Sequence, residues 1–452
     1  MNRVAVLNVV ALSPNLIGEH TPAIAALAER SGGVRTMTTT TPAVTTTVQT
    51  SMLTGATVSE HGIVANGWYD RTEGQVKFWK QSNRLVEAEP VWRTARRRDP
   101  GFTCANICWW YAMNSDVDVY VTPRPIYRAN GRKVPDCLTR PGELRDQLQA
   151  KHGTFPLFKF WGPGASIEST RWIVDAALDV EQASKPTLEL IYLPHLDYGL
   201  QKLGPEHPEI PRHLREVDDE VERLLKRFDR EGVKVILVSE YGIEPVRRGV
   251  ALNRMLRQEG LLALREELGR EMLVPDECRA FALADHQIAH VYVQQDQDTN
   301  RVRRLIEAVD GVREVLGREE IEAAGLRHAR SGDLIAISDA DSWFTYDWWL
   351  DPERAPDYAR TVDIHNKPGY DPRELFMGSK LRAAWKLLLM KAGIRTTLDV
   401  IPLDDTLVRG SHGRENPASG FEAVLIAEDR PRAHGPVPCT SVRDLILSAV
   451  FD

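Results

Sequence analysis

Cysteine is scarce: five residues (Cys104, Cys108, Cys137, Cys278 and Cys439) in 452, an odd number with no CxxC pair. That pattern excludes a disulfide framework and a thiolate zinc site, and it points to a reducing, cytoplasmic setting. Long apolar runs are also missing, so no membrane-spanning helix is expected. The opening MNRVAVLNVVALS has an apolar stretch too short for a signal peptide and reads as a strand. Positive charge is not in excess either. With 57 basic and 64 acidic residues the net charge is -7, which gives no global support for binding a nucleic-acid polymer. Internal repeats and low-complexity linkers are absent.

What is present is an ordinary globular composition, 42% hydrophobic and 27% charged, in a chain longer than one typical core. Short apolar runs alternate with amphipathic helical patterns. Val4–Val10 is nearly continuous, as expected for a strand buried on both faces. Thr21–Arg30 follows as a helix with Pro22 at its first position. Leu188–Leu193, a charged helix over Arg212–Arg230 and Val233–Val238 form a strand–helix–strand unit. Val291–Val293, Leu334–Ile337 and Ala423–Ile426 add strands, and Pro372–Lys391 reads as one helix with Leu375, Leu381, Trp385 and Leu388 inward. The expected fold is α/β: a doubly wound, mostly parallel central sheet with helices on both faces and a smaller cap-like insertion. Residues 1–251 are assigned to the core, 252–330 to the cap and 331–452 to a return to the core. Within the first part, 68–135 is an aromatic-rich insertion whose tryptophans either pack onto the core or line a pocket.

The stretch most suggestive of chemistry is Thr45–Asn66, TTTVQTSMLTGATVSEHGIVAN. A hydroxyl at a helix start sits among unpaired N–H groups at the positive end of the dipole, where a phosphoryl group can be held. Read locally, Thr45 or Thr46 is simply a helix cap. A Thr nucleophile needs a base or a metal to remove its proton, so carboxylates and imidazoles are sought at strand ends. Asp197 follows the run Leu188–Leu193, with Gly204-Pro205 beyond it. Ser239-Glu240-Tyr241-Gly242 ends the run Val233–Val238, and Gly410-Ser411-His412-Gly413 precedes Ala423–Ile426.

Thr45, Thr54-Gly55, His61-Gly62-Ile63 and Asn66, without a gap, together with these strand-end motifs, resemble the type I phosphodiesterase/nucleotide pyrophosphatase branch of the alkaline phosphatase superfamily. The resemblance implies that Thr45 is the nucleophile and a metal contact, and that Asn66 touches a phosphoryl oxygen. It implies metal ligation by Asp197, His412 and Glu240, the last in place of an Asp, while His61 is structural. Three ligand positions of the pattern differ here: Val10, Gln201 and Tyr241. Asn8 lies two residues before Val10 on the same strand face. His195, two residues before Asp197, and His365, in the polar loop Asp363–Asp371, are candidates to compensate, and His365 is included among the ligands. Asp285, His286 and His290 form a further cluster, with His286 and His290 on one strand face, and are left outside the site as structural residues of the cap.

The implied activity is metal-dependent hydrolysis of a small-molecule phosphoester through a phospho-threonine. One or two divalent ions are expected, zinc first, with manganese or iron as alternatives. Three other functions fit the same residues: a metal-depleted binder of a phosphorylated ligand, a phosphoryl or sulfuryl transferase, and a phosphonate hydrolase.

Overall fold

The computed structural model describes residues 1–129, 132–428 and 435–452, which form two compact units. The first comprises 1–63, 81–243 and 415–452; the second comprises 64–80 and 244–414. The second unit therefore contains, besides 252–330, the segments 64–80, 244–251 and 331–414.

The first unit is built on a nine-stranded sheet. From one edge its strands are Val437–Pro438, Arg35–Thr38, Ala423–Ala427, Lys234–Val238, Val4–Val9, Leu188–Leu193, Cys104–Ile107, Val119–Pro123 and Cys137–Arg140. Val4–Val9 runs parallel to both neighbours, pairing Asn8 with Tyr192 on one side and with Val238 on the other. Only Ala423–Ala427 and the edge strand Cys137–Arg140 run antiparallel to their neighbours. The sheet is thus mostly parallel and doubly wound, with helices on both faces. Its central strands are fully buried, which is why they read as nearly continuous apolar runs, interrupted only by Asn8 and Glu189. Trp92 and Trp109, from the aromatic-rich segment, are core residues of this unit.

Parallel order also fixes where chemistry collects. Val4–Val9, Leu188–Leu193 and Lys234–Val238 all end on the same edge of the sheet, where their following loops lie side by side. The helix Thr45–Thr54 is buried along its whole length. It stops at Gly55, which is left-handed (φ +67); a Cβ there would lie 2.9 Å from Arg443 Cδ.

The second unit holds a four-stranded antiparallel sheet of Ala280–Asp285, Ile288–Val293, Leu334–Ser338 and Val312–Leu316. Its core includes Tyr346, Trp348 and Trp349. A buried ion network crosses the loop before Pro372. Arg373 forks onto Asp347 (2.7 and 2.8 Å), and Lys367 reaches Asp371 and Glu374, each at 2.8 Å.

Pro372–Lys391 departs from the single helix that its pattern predicts. A 3-10 turn, Pro372–Leu375, is started by Asp371, whose carboxylate accepts from Arg373 N–H. A separate helix, Lys380–Lys391, begins where the Ser379 hydroxyl accepts from Arg382 N–H. Local caps and buried Arg373 break the run, so only Leu375 faces inward, while Leu381 and Trp385 are 85% and 59% exposed. Among the described residues no helix is long and apolar enough to cross a membrane.

This contrast predicts that Trp385→Ser changes unfolding free energy by no more than about 0.5 kcal/mol. Trp109→Ala, in the core, should cost about 3–5 kcal/mol. Urea unfolding of both variants measures the difference; comparable losses would mean that Lys380–Lys391 packs its apolar side inward.

Candidate active site

Thr45 is the first residue of its helix, not the cap. Val44 holds the cap position with extended backbone, and no side chain caps this end. The Thr45 hydroxyl therefore points elsewhere: it lies 3.2 Å from Tyr241 Oη. Tyr241 Oη in turn donates to Asp197 Oδ1 at 3.2 Å. A phenol has one proton. With that proton directed to Asp197, Tyr241 Oη accepts from Thr45 Oγ1, whose proton the Glu240 carboxylate also attracts. The three groups form a one-way chain from Thr45 Oγ1 through Tyr241 Oη to Asp197.

Asp197 also accepts from Gln201 Nε2 at 2.7 Å, one helical turn on. Gln201 and Tyr241, two of the residues that depart from the family pattern, both grip the retained carboxylate. Glu240 is treated similarly. Asn8 Nδ2 donates to its Oε1 at 2.6 Å, and Gln49 Nε2 donates to the same oxygen at 2.5 Å. Gln49 is fixed in turn, because Trp110 N–H donates to its Oε1 at 2.6 Å. Glu240 Oε2 and Asn8 Oδ1 are buried without a hydrogen-bond partner. Val10 is fully buried in the apolar core and offers no ligand.

Burial dominates the electrostatics. It pushes Asp197 up to about 7, against the hydrogen bonds from Tyr241 and Gln201 that pull it down. It pushes Glu240 up to about 8, against the Gln49 and Asn8 amides. The Tyr241 phenol is driven well above its ordinary range by burial and by the two carboxylates, so it stays protonated. Backbone strain accumulates in the same unit: Ala11, just past the first strand, has φ +63, and Cys108 and Tyr111, flanking Trp110, have φ +67 and +59.

His195 does not share a face with Asp197. The strand stops at Leu193, Pro194 follows, and a helix starts at His195. Two residues apart on a helix is about 200° of rotation, so the side chains diverge. His195 instead meets His213 and Glu216 on the next helix.

The second unit holds the other expected residues. Asn66 is clamped by Asp285, its backbone N–H donating at 2.9 Å and its Nδ2 at 3.1 Å. His286 Nδ1 donates to the same carboxylate at 2.8 Å. The His286 ring lies between Tyr370, stacked at 3.6 Å, and His412 at 3.8 Å. The alternation predicted for Asp285–Val293 fails at one point: residues 286 and 287 are a hairpin turn, and His286 is left-handed (φ +60). The turn sends His286 toward His412, away from His290. His290 is held between the Val64 carbonyl, to which Nε2 donates, and Gly332 N–H, which donates to Nδ1. His365 is half-buried, with Nδ1 3.3 Å from the Phe78 carbonyl.

Thr45, Asp197 and Glu240 thus belong to one cluster in the first unit, whereas Asn66, His365 and His412 belong to the second. Asn8, Gln49 and Asp285 carry much of this geometry. Asn8 was visible by face, and Gln49 by its place one turn after Thr45, but long-range partners such as Asp285 leave no local signal. His61 is tied into the first unit by Ser51 Oγ and Ile63 N–H and supports the Thr45 helix.

A family model described as type I phosphodiesterase/nucleotide pyrophosphatase matches residues 4–371. An uncharacterised pyrophosphatase/phosphodiesterase of Schizosaccharomyces pombe is 26% identical over 235 residues, 50% of this chain. That alignment spans 41% of the yeast protein, so the chain matches well under half of that relative's length. Murine ectonucleotide pyrophosphatase/phosphodiesterase 5, an inactivated form in complex with AMP, is similar with a TM-score of 0.60 and 16% identity. The match covers 100% of this chain and 95% of the murine one. Phosphonoacetate hydrolase from Sinorhizobium meliloti, in complex with phosphonoformate, gives 0.64 and 14% over 99% and 96% of the two chains. At these identities the likeness is one of fold.

The raised carboxylate has a consequence for stability. Glu240 binds its proton more tightly folded than unfolded, so the native state gains stability at low pH and loses it as pH rises through about 8. Urea midpoints should therefore fall for the wild type relative to Glu240→Gln between about pH 5 and about pH 9. Parallel curves would mean that Glu240 ionises in the ordinary carboxylate range.

Proposed function

The chain belongs to the type I phosphodiesterase/nucleotide pyrophosphatase family, and from that premise we propose that it hydrolyses small-molecule phosphoester or phosphoanhydride bonds through a phosphorylated Thr45. The observation that carries this reading is the directed chain Thr45–Tyr241–Asp197. Thr45 attacks phosphorus as its proton passes to Tyr241 Oη, while the Tyr241 proton passes to Asp197. The tyrosine ends as it began, neutral, and Asp197 holds the proton. A carboxylate poised near neutrality suits both receiving that proton and returning it to the leaving oxygen. Water then attacks the phospho-threonine and gives a proton to Asp197, the Thr45 Oγ1–P bond breaks, and the threonine oxygen regains its proton from Asp197 through Tyr241 Oη. The family resemblance implies that Asn66 contacts a non-bridging phosphoryl oxygen; within its own unit the carboxamide is oriented by Asp285.

The family resemblance implies divalent cations, and the first unit's donors bear on how many and of what kind. Two buried carboxylates and the unpaired Glu240 Oε2 and Asn8 Oδ1 suit one cation with oxygen ligands, held by Asp197 and Glu240. Hard oxygen donors favour manganese or magnesium over zinc. They do not fit a second ion beside Thr45, because Val10 is apolar core and Tyr241 remains a protonated donor. A cation at Asp197 and Glu240 would supply positive charge that lowers both carboxylates and acidifies the Thr45 hydroxyl.

A second reading, a binder without turnover, is favoured by the amides of Asn8 and Gln49 closing on Glu240. Assay with bis(p-nitrophenyl) phosphate separates the two. Thr45→Ala should abolish turnover, and Tyr241→Phe should lower kcat by about 10²–10⁴ with little change in KM. The rate should fall below about pH 7 as Asp197 takes up its proton, and added manganese should move that limb to lower pH. A folded wild-type protein with no turnover under any divalent ion would leave the binder.

A further inference from the structure

His195, His213 and Glu216 come together outside the Thr45 cluster. His195 opens the helix His195–Leu203, and His213 and Glu216 lie three residues apart on one face of the helix Ile210–Glu231. Three atoms meet: His195 Nε2 is 3.0 Å from Glu216 Oε2 and 3.1 Å from His213 Nδ1, and His213 Nδ1 is 3.8 Å from Glu216 Oε2. Gly199, one turn beyond His195, makes room for the ring; a Cβ there would sit 3.2 Å from His213.

We propose that these three side chains form a site for one divalent transition cation of the zinc class, distinct from the site of phosphoryl chemistry. Zinc binds imidazole nitrogen and carboxylate oxygen at about 2.0–2.2 Å, so the edges of its tetrahedron are about 3.3–3.5 Å. The three observed separations bracket that value, and a point about 2 Å from all three atoms exists, just off their common plane. Hydrogen bonding accounts for the cluster less well. Arg212 Nη2 lies 3.3 Å from His213 Nε2 and donates there, which puts the His213 proton on Nδ1 and makes His195 Nε2 its acceptor. With the proton on His195 Nε2 instead, that nitrogen donates to Glu216 Oε2 at 3.0 Å and His213 Nδ1 can be left as a bare acceptor, so a single hydrogen serves three lone-pair atoms. His195 Nδ1 is buried with no hydrogen-bond partner, so no neighbour anchors the tautomer from the other side.

A cation at the centre uses all three lone pairs at once. The His213 proton then moves to Nε2, and Arg212, whose side chain is 53% exposed, keeps its 2.9 Å bond to Glu216 Oε1. The site is closed on one side by His195, whose side chain is 2% exposed, and open at Glu216, 23% exposed, where water completes the coordination. Bound metal ties the first turn of the helix that carries Asp197 to the long helix beside it.

The test uses the full chain, stripped with chelator and titrated with zinc by calorimetry in excess magnesium, which occupies the hard oxygen donors near Thr45. One zinc should bind, with affinity weakened at least about tenfold in both His213→Ala and Glu216→Gln and unchanged in Asp197→Asn. Cobalt should give a visible d–d spectrum in the wild type that is lost in His213→Ala. Circular dichroism checks folding, and His213→Gln replaces His213→Ala if the latter unfolds. Zinc affinity equal in the wild type and both variants overturns the proposal, as does a folded wild type that binds no zinc. Loss of zinc in Asp197→Asn but not in the His213 variant would assign the ion to the Thr45 cluster and also overturn it.

Discussion

Tyr241 has one proton to give, and the site of the first unit is ordered by where that proton goes. Donated to Asp197, it turns the phenol oxygen into an acceptor for Thr45 and sets the direction of the whole chain. The phenol keeps its proton because it is buried beside two carboxylates, each of which disfavours a phenolate. Asp197 can serve as the terminus because burial has raised it to about 7, where it exchanges protons readily. A solvent-exposed Asp in the same place would be too weak a base. The interior setting and the proton relay are therefore one arrangement seen from two sides.

That arrangement has a cost that the surrounding polar residues offset. Buried carboxylates are unfavourable unless they are hydrogen-bonded or neutralised. Glu240 receives two amide donors on one oxygen and none on the other, a half-satisfied state that a cation or a proton completes. The supports come from far apart in sequence: Asn8 from the first strand and Gln49 from the helix Thr45–Thr54, with Gln49 itself braced by the Trp110 backbone. Parallel strand order brings them together, since the strands that end at Val9, Leu193 and Val238 are immediate neighbours.

This explains which features were legible in the sequence. Strands buried on both faces leave nearly continuous apolar runs, so Val4–Val9, Leu188–Leu193 and Lys234–Val238 were readable almost to the residue. Asp197 and Glu240 entered the expected ligand set because strand ends in a parallel sheet are where ligands are met, and the structure brings both into the Thr45 cluster. Failures came where local hydrogen bonds override periodicity. Ser379 and Asp371 cap two short elements inside one helical pattern, Pro194 ends a strand before His195, and a hairpin turn reverses His286. The clamp of Asp285 on Asn66 joins residues 219 positions apart, and neither position carries a periodicity or spacing that announces the other.

The residues that depart from the family pattern are connected to one another. Gln201 and Tyr241 both bond Asp197, and Asn8, beside the position occupied by Val10, bonds Glu240. Random loss of metal ligands would leave buried carboxylates facing apolar or mismatched neighbours, at a penalty of several kcal/mol per charge. Here each of the two carboxylates has uncharged donors at hydrogen-bond distance. Imidazoles would compete for a metal as lone-pair donors, whereas an amide and a phenol present protons to the carboxylate. With amide and phenol donors on Asp197 and Glu240, the buried charge of this cluster is balanced by hydrogen bonds together with a proton or a cation, while Thr45 lies at the start of its buried helix with its hydroxyl 3.2 Å from Tyr241 Oη. A binder without turnover has no need of a hydroxyl aligned on a hydrogen-bonded path to a titratable base, and the proposed phosphoryl transfer rests on that alignment.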